Sequence, residues 1–128
     1  MARVLVIEDD RKINLALSIR LKSNGHDVLQ AYDGLTGVSL ATTQQPDVIV
    51  LDICLPKDDG ISVAEKINRI STTVGTPIVF LTARRERGLR DRALHTGAAS
   101  FLEKPYDARE LVAAVESAIH DGSARTSH

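Results

Sequence analysis

Val48-Ile49-Val50-Leu51-Asp52 decides the fold: four consecutive apolar residues that end on a carboxylate. A run that is apolar at every position, not at alternate ones, suits a strand covered on both faces, as in a parallel sheet. Two more runs share the pattern. Val4-Leu5-Val6-Ile7 leads into Glu8-Asp9-Asp10, and Ile78-Val79-Phe80-Leu81 ends on Thr82. Segments 27–32 and 98–102 are less uniformly apolar and read as edge strands. The second of these, with Phe101-Leu102 at its end, is soon followed by Lys104-Pro105.

Helical patterns fill the gaps. Ile13, Leu17 and Leu21 recur every four residues, and Asn24-Gly25 supplies a stop. A weaker helix spans Gly34 to about Gln44, ahead of Pro46, and Val63, Ile67 and Ile70 stripe a third. A fourth is expected from Arg84 to His95, with Gly97 near its C-cap. Asp107-Ala108-Arg109-Glu110 fits a capping box, and Leu111, Val115 and Ile119 stripe the helix that follows. The segment Asp121–His128 is small and polar and is expected to fray, so the domain is placed at 1–121 and a flexible tail at 122–128.

The order is strand-helix five times over. Such alternation implies an α/β fold with a doubly wound parallel sheet and right-handed crossovers. In such sheets ligands bind at the carboxyl ends of the strands. Glu8, Asp9, Asp52, Thr82 and Lys104 would therefore share one edge.

The bulk properties narrow the function classes. At 128 residues and 43% apolar content the chain suits one globular domain. Its 16 basic and 17 acidic residues leave a formal net charge of -1, so no basic excess points to nucleic acid or membrane. Cys54 is the lone cysteine, which excludes an intramolecular disulfide and fits a reducing compartment. No signal-peptide layout precedes Val4, and no apolar stretch is of membrane-spanning length, so a cytoplasmic location is expected.

Three carboxylates brought together repel one another, and a hard divalent cation relieves that. Mg²⁺ takes a few carboxylate oxygens, keeps waters and accepts a phosphate oxygen. A carboxylate beside such an ion can act as a nucleophile and form an acyl phosphate. Each residue alone has an ordinary explanation. Asp9 or Asp10 could cap the first helix, Asp52 could open a loop, Thr82 could be a plain strand residue, and Lys104 could be a solvated surface lysine. Pro105 permits a cis bond that would aim Lys104 inward.

Together the residues resemble the receiver domain of bacterial two-component response regulators. The resemblance is carried by Val6-Ile7-Glu8-Asp9-Asp10, Val50-Leu51-Asp52-Ile53-Cys54-Leu55-Pro56 with Asp59-Gly60, Phe80-Leu81-Thr82-Ala83, Gly97-Ala98 and Phe101-Leu102-Glu103-Lys104-Pro105. It implies a flavodoxin-like (βα)5 fold with strand order 2-1-3-4-5. It also implies that Asp52 accepts a phosphoryl group from the phosphohistidine of a sensor histidine kinase or a histidine phosphotransfer protein. By the same resemblance Glu8, Asp9, Asp52 and the backbone carbonyl of Cys54 hold Mg²⁺, with Mn²⁺ as a possible substitute. Thr82 and Lys104 contact the phosphoryl oxygens. Thr82 and Phe101 switch the face made by the fourth helix, fifth strand and fifth helix toward an output domain or downstream protein. Cys54 and Arg84 border the path of the attacking water and tune the phosphoryl lifetime. The protein would be a signalling switch, not an enzyme acting on other substrates.

Two departures stand out. Ala99-Ser100 occupies positions where winged-helix regulators commonly carry acidic residues, and Phe101 replaces the frequent tyrosine. The main alternative is an aspartate phosphatase of the haloacid dehalogenase type. That chemistry wants a second Asp two residues after the nucleophile, where Cys54 stands. A P-loop is absent, and no Ser/Thr/Gly-rich loop follows the first strand to hold a flavin phosphate.

Overall fold

The structure is a computed structural model and describes residues 2–83 and 86–126, with side chains through Asp121. Five strands alternate with five helices: β1 Arg3–Ile7, α1 Arg11–Ser23, β2 Asp27–Ala31, α2 Gly34–Gln44, β3 Val48–Asp52, α3 Gly60–Arg69, β4 Ile78–Thr82, α4 Leu89–His95, β5 Ser100–Glu103 and α5 Ala108–Thr126. The sheet is parallel throughout, in the order β2-β1-β3-β4-β5. This is the doubly wound, flavodoxin-like arrangement expected from the sequence, with the two less apolar strands at the edges.

The period-2 alternation of the strands sorts the interior into two layers. Leu5, Ile7, Ile49, Leu51 and Phe80 face one way and pack with Ala41, Val63, Ile67, Leu89 and Ala93 of α2, α3 and α4. Val4, Val6, Val48, Val50, Val79 and Leu81 face the other way and pack with Leu17 and Leu21 of α1 and Leu111, Val115 and Ala118 of α5. Burial on both faces explains why β3 and β4 carry no polar residue before their last position.

Local signals set most boundaries. Asp10, Asp33 and Asp59 cap α1, α2 and α3, each through a side-chain oxygen that accepts from first-turn amides. The capping box forms: Asp107 Oδ1 accepts from Arg109 N at 2.8 Å, and Glu110 Oε1 accepts from Asp107 N at 3.3 Å.

Four expectations need correction. The fourth helix begins at Leu89 and not at Arg84, because Gly88 sits at φ 80° and a left-handed residue cannot continue a helix. Arg84 and Arg85 lie outside the described residues. β5 begins at Ser100, since Ala98 and Ala99 are used in the connection. Ile70 is extended and ends α3 instead of striping it. α5 continues through Thr126, into the segment read as a tail.

The loop after β3 folds back on the strand end with almost no room. Gly60 N donates to Ile53 O at 2.8 Å, and a Cβ on Gly60 would lie 2.4 Å from the Asp52 carbonyl oxygen and 2.6 Å from Ile53 Cα. Both obstacles are backbone, which cannot swing aside. Gly60→Ala should therefore destabilise the protein by about 1–3 kcal/mol, as overpacking against backbone does. Urea denaturation checks this, and a midpoint equal to wild type would contradict it.

Candidate functional site

Sheet register brings the polar strand ends together. Ile7 pairs with Leu51, so Glu8 comes beside Asp52. Asp52 pairs with Leu81, which sets Thr82 one step beyond it, and Thr82 pairs with Glu103, just before Lys104. All five predicted site residues thus reach one edge of the sheet.

Their environments differ. Glu8 is 1% exposed, Asp52 4% and Thr82 fully buried, whereas Asp9 is exposed. Carboxylate oxygens of Glu8, Asp9 and Asp52 lie within 4.8 Å of one another. Asp10, the other acid of the first loop, is committed to capping: its Oδ1 accepts from Lys12 N at 2.9 Å and from Ile13 N at 3.1 Å. Asp10 therefore takes the capping role that the sequence left open between the two adjacent aspartates.

Lys104 bridges the two buried acids, with Nζ 3.3 Å from Glu8 Oε1 and 3.4 Å from Asp52 Oδ2. The Lys104–Pro105 bond is cis. Burial by itself would lower the Lys104 pKa, but the charges of Asp52 and Glu8 more than offset it, and the ammonium is held above its ordinary value. Asp52 Oδ1 also accepts from the backbone N–H of Cys54 at 2.8 Å. One ammonium is not enough for two buried carboxylates. Burial pushes Glu8 up to about 8, and the hydrogen bond and charge of Asp52 add to the rise. A donor set of three carboxylates, two of them buried and one holding a proton, fits a small hard cation that would displace that proton.

Cys54 is half-buried at the rim, its Sγ 3.9 Å from Thr82 Oγ1. Phe101 is 6% exposed and belongs to the α2–α4 layer of the core, with the Arg90 guanidinium 5.7 Å from its ring centroid. Arg84 lies outside the described residues.

The family model of the response regulator receiver domain matches residues 4–116. This chain belongs to the response regulator receiver family. It is 40% identical to the "DNA-binding dual master transcriptional regulator RpaA" of Synechocystis over 91% of this chain and 48% of that protein. It is also 40% identical to the "Transcriptional activator protein IrlR" of Burkholderia pseudomallei, over 98% of this chain and 53% of that one. The chain spans about half the length of these curated relatives. The receiver domain of the Francisella response regulator 1452 superposes with a TM-score of 0.87 at 30% identity, covering 94% of this chain and 98% of that one. The phosphatase alternative finds no support in these matches. Among the described residues, no helix is long and apolar enough to cross a membrane.

The sequence reading missed the polar scaffold under the receiver site. Asn14, Ser18 and Gln30 form a hydrogen-bonded group between α1 and β2. The available signal was an asparagine inside an amphipathic helix, next to its apolar stripe, where asparagine is a poor helix former.

Glu8 makes stability depend on pH. In the metal-free protein its folded pKa of about 8 exceeds the ordinary value of 4.5 that the unfolded chain restores. Between those values the folded state keeps a proton that the unfolded state releases. The contribution is complete below the lower value and lost as pH rises through the upper one. In chelator, wild type should lose stability relative to Glu8→Gln between about pH 5 and about pH 9. Urea melts that run parallel for the two proteins across that range would refute the assignment.

Proposed function

We propose that Asp52 is the phosphoryl acceptor of this receiver domain, and that Glu8, Asp9, Asp52 and the backbone carbonyl of Cys54 hold Mg²⁺ for the transfer, with Mn²⁺ as a substitute. The observation that supports this most directly is the position of Asp52. It lies at the end of the central strand β3, within reach of the other two acids and with Lys104 bridging it to Glu8. The divalent ion supplies charge neutralisation for the incoming phosphoryl group.

The chain's own residues account for the rest of the chemistry. A carboxylate oxygen of Asp52 attacks the phosphorus of a phosphohistidine. The new P–O bond forms as the P–N bond breaks, the electron pair returns to the imidazole nitrogen, and that nitrogen takes up a proton. The donor is a sensor histidine kinase or a histidine phosphotransfer protein, in the cytoplasm. Lys104, now bridging Glu8 and Asp52, turns to the phosphoryl oxygens and offsets part of their charge. The Thr82 hydroxyl donates to the same group.

A hydroxyl and an ammonium that gain a partner in only one of two states bias the equilibrium between those states. Thr82 ends β4 and Phe101 lies on the adjacent β5, so a shift of Thr82 is felt at the aromatic ring and at Arg90 of α4 beside it. The α4–β5–α5 face then presents the result to an output domain or a downstream protein. DNA binding, as named for the Synechocystis relative, belongs to such an output and not to this unit, which has no net basic charge. Catalysis is limited to the protein's own Mg²⁺-dependent phosphorylation and dephosphorylation. Cys54 and Arg84 tune the second of these by bordering the water's approach.

Acetyl phosphate with Mg²⁺ should add one phosphoryl group, visible by intact-mass spectrometry and absent in Asp52→Asn. Labelling that persists in that variant, or proceeds without metal, would overturn the acceptor assignment. Lys104→Ala should still be labelled but should not transmit the change. Wild-type changes in amide exchange across 84–119 on phosphorylation of Lys104→Ala would count against its role as a reader.

A further inference from the structure

We infer that Asn14 is a positioning residue for the acidic pocket: it fixes the Glu8–Asp9 peptide and thereby sets the affinity of the site for a divalent cation. The inference rests on the metal reading above. Asn14 is fully buried on α1, beside an otherwise apolar layer. Its Nδ2 donates to two strand-end carbonyls, Glu8 O at 3.0 Å and Ala31 O at 3.1 Å. Glu8 N donates to the same Ala31 oxygen at 3.0 Å. The peptide groups on both sides of Glu8 Cα are thus tied to one point at the ends of β1 and β2.

The amide can face only one way. Asn14 Oδ1 accepts from Gln30 Nε2 at 2.8 Å, and the Ser18 hydroxyl, which donates to the Asn14 carbonyl oxygen at 2.7 Å, lies 3.2 Å from it. Its nitrogen gives two hydrogen bonds, which uses its full donor capacity, and its oxygen takes one from Gln30. Turning it over would set an oxygen against two carbonyls and an NH₂ against the Gln30 NH₂. Buried polar groups satisfied in this way specify a geometry, because every alternative leaves a desolvated group unpaired.

Asp9 is where this geometry is felt. Among the described residues its carboxylate has no hydrogen bond or ion pair, unlike Glu8, Asp52 and Asp10, so the main chain alone directs it. The carbonyl that Asn14 holds belongs to the peptide plane that precedes Asp9 Cα. Rotating that plane swings the Asp9 side chain away from the other two acids. Groups that orient metal ligands in this way typically change metal affinity by about 10–100-fold when removed.

The test is Mg²⁺ titration of the whole protein, followed by calorimetry and by amide NMR shifts at residues 8–10, with urea stability measured in parallel. Asn14→Leu should weaken Mg²⁺ binding by about tenfold or more, and Gln30→Leu, which frees one bond to the Asn14 oxygen, by about threefold. Val115→Ala removes core volume on α5 without touching a hydrogen bond of the network, and should lower stability while leaving Mg²⁺ affinity within about twofold of wild type. If Asn14→Leu does not fold, Gln30→Leu against Val115→Ala decides. Unchanged affinity in the folded network variants, with wild type binding Mg²⁺ and Asp9→Asn impaired, overturns the role of Asn14 alone. Equal weakening by Val115→Ala overturns it too, because affinity would then follow global stability. A wild type that binds no Mg²⁺ overturns the metal reading and this inference with it.

Discussion

One ammonium serving two buried carboxylates is the constraint on which the site depends. Lys104 lies within 3.4 Å of both Glu8 and Asp52, which β1 and β3 deliver side by side at 1% and 4% exposure. Desolvating two anions costs several kcal/mol each, and a single cation offsets only part of it. The molecule settles the remainder locally: Glu8 keeps its proton to about pH 8, and Asp52 takes the Cys54 amide. Among the described residues, the arrangement is a pocket short of positive charge. Such a donor set suits a divalent cation.

The same constraint shapes the backbone around the pocket. The loop from Asp52 to Gly60 must turn back at once to present an amide to the Asp52 carboxylate, and that return path leaves no space for a Cβ at Gly60. On the other side, the first loop has to hold Glu8 inward and Asp9 outward in consecutive positions. The Glu8 main chain is held there on both sides: its carbonyl accepts from Asn14 Nδ2 and its N–H donates to Ala31 O. Buried polar groups appear where strand ends must be aimed, and the layers on both sides of the sheet stay apolar.

The fifth strand and fourth helix adjoin the edge of the sheet that carries the site. Thr82 and Phe101 are on neighbouring strands, and the Phe101 ring lies inward under the Arg90 guanidinium. α4 is short, begins at a left-handed glycine and makes the fewest turns of the five helices. A helix of that length draws little stability from its own hydrogen bonds and depends on packing.

The sequence by itself determined the fold class, the strand order implied by family likeness, and all five residues at the sheet edge. It could do so because uniformly apolar runs of four residues have few other uses, and because a parallel sheet sends every strand's last residue to the same side. It did not determine what those residues do to one another. Whether Asp9 or Asp10 would cap the helix, whether Lys104 would reach inward, and how far Glu8 would hold its proton all depend on distances set by register between strands remote in the chain. The Asn14 network was invisible for the same reason: its partners at residues 8, 30 and 31 meet only when β1, β2 and α1 pack. The start of α4 also escaped, since Gly88 reads equally well as a tolerated helix residue or as a break until its backbone conformation is known. Periodicity and composition specify which face a residue takes. Only tertiary packing decides which charges and amides become neighbours, and in this protein the neighbours make the site.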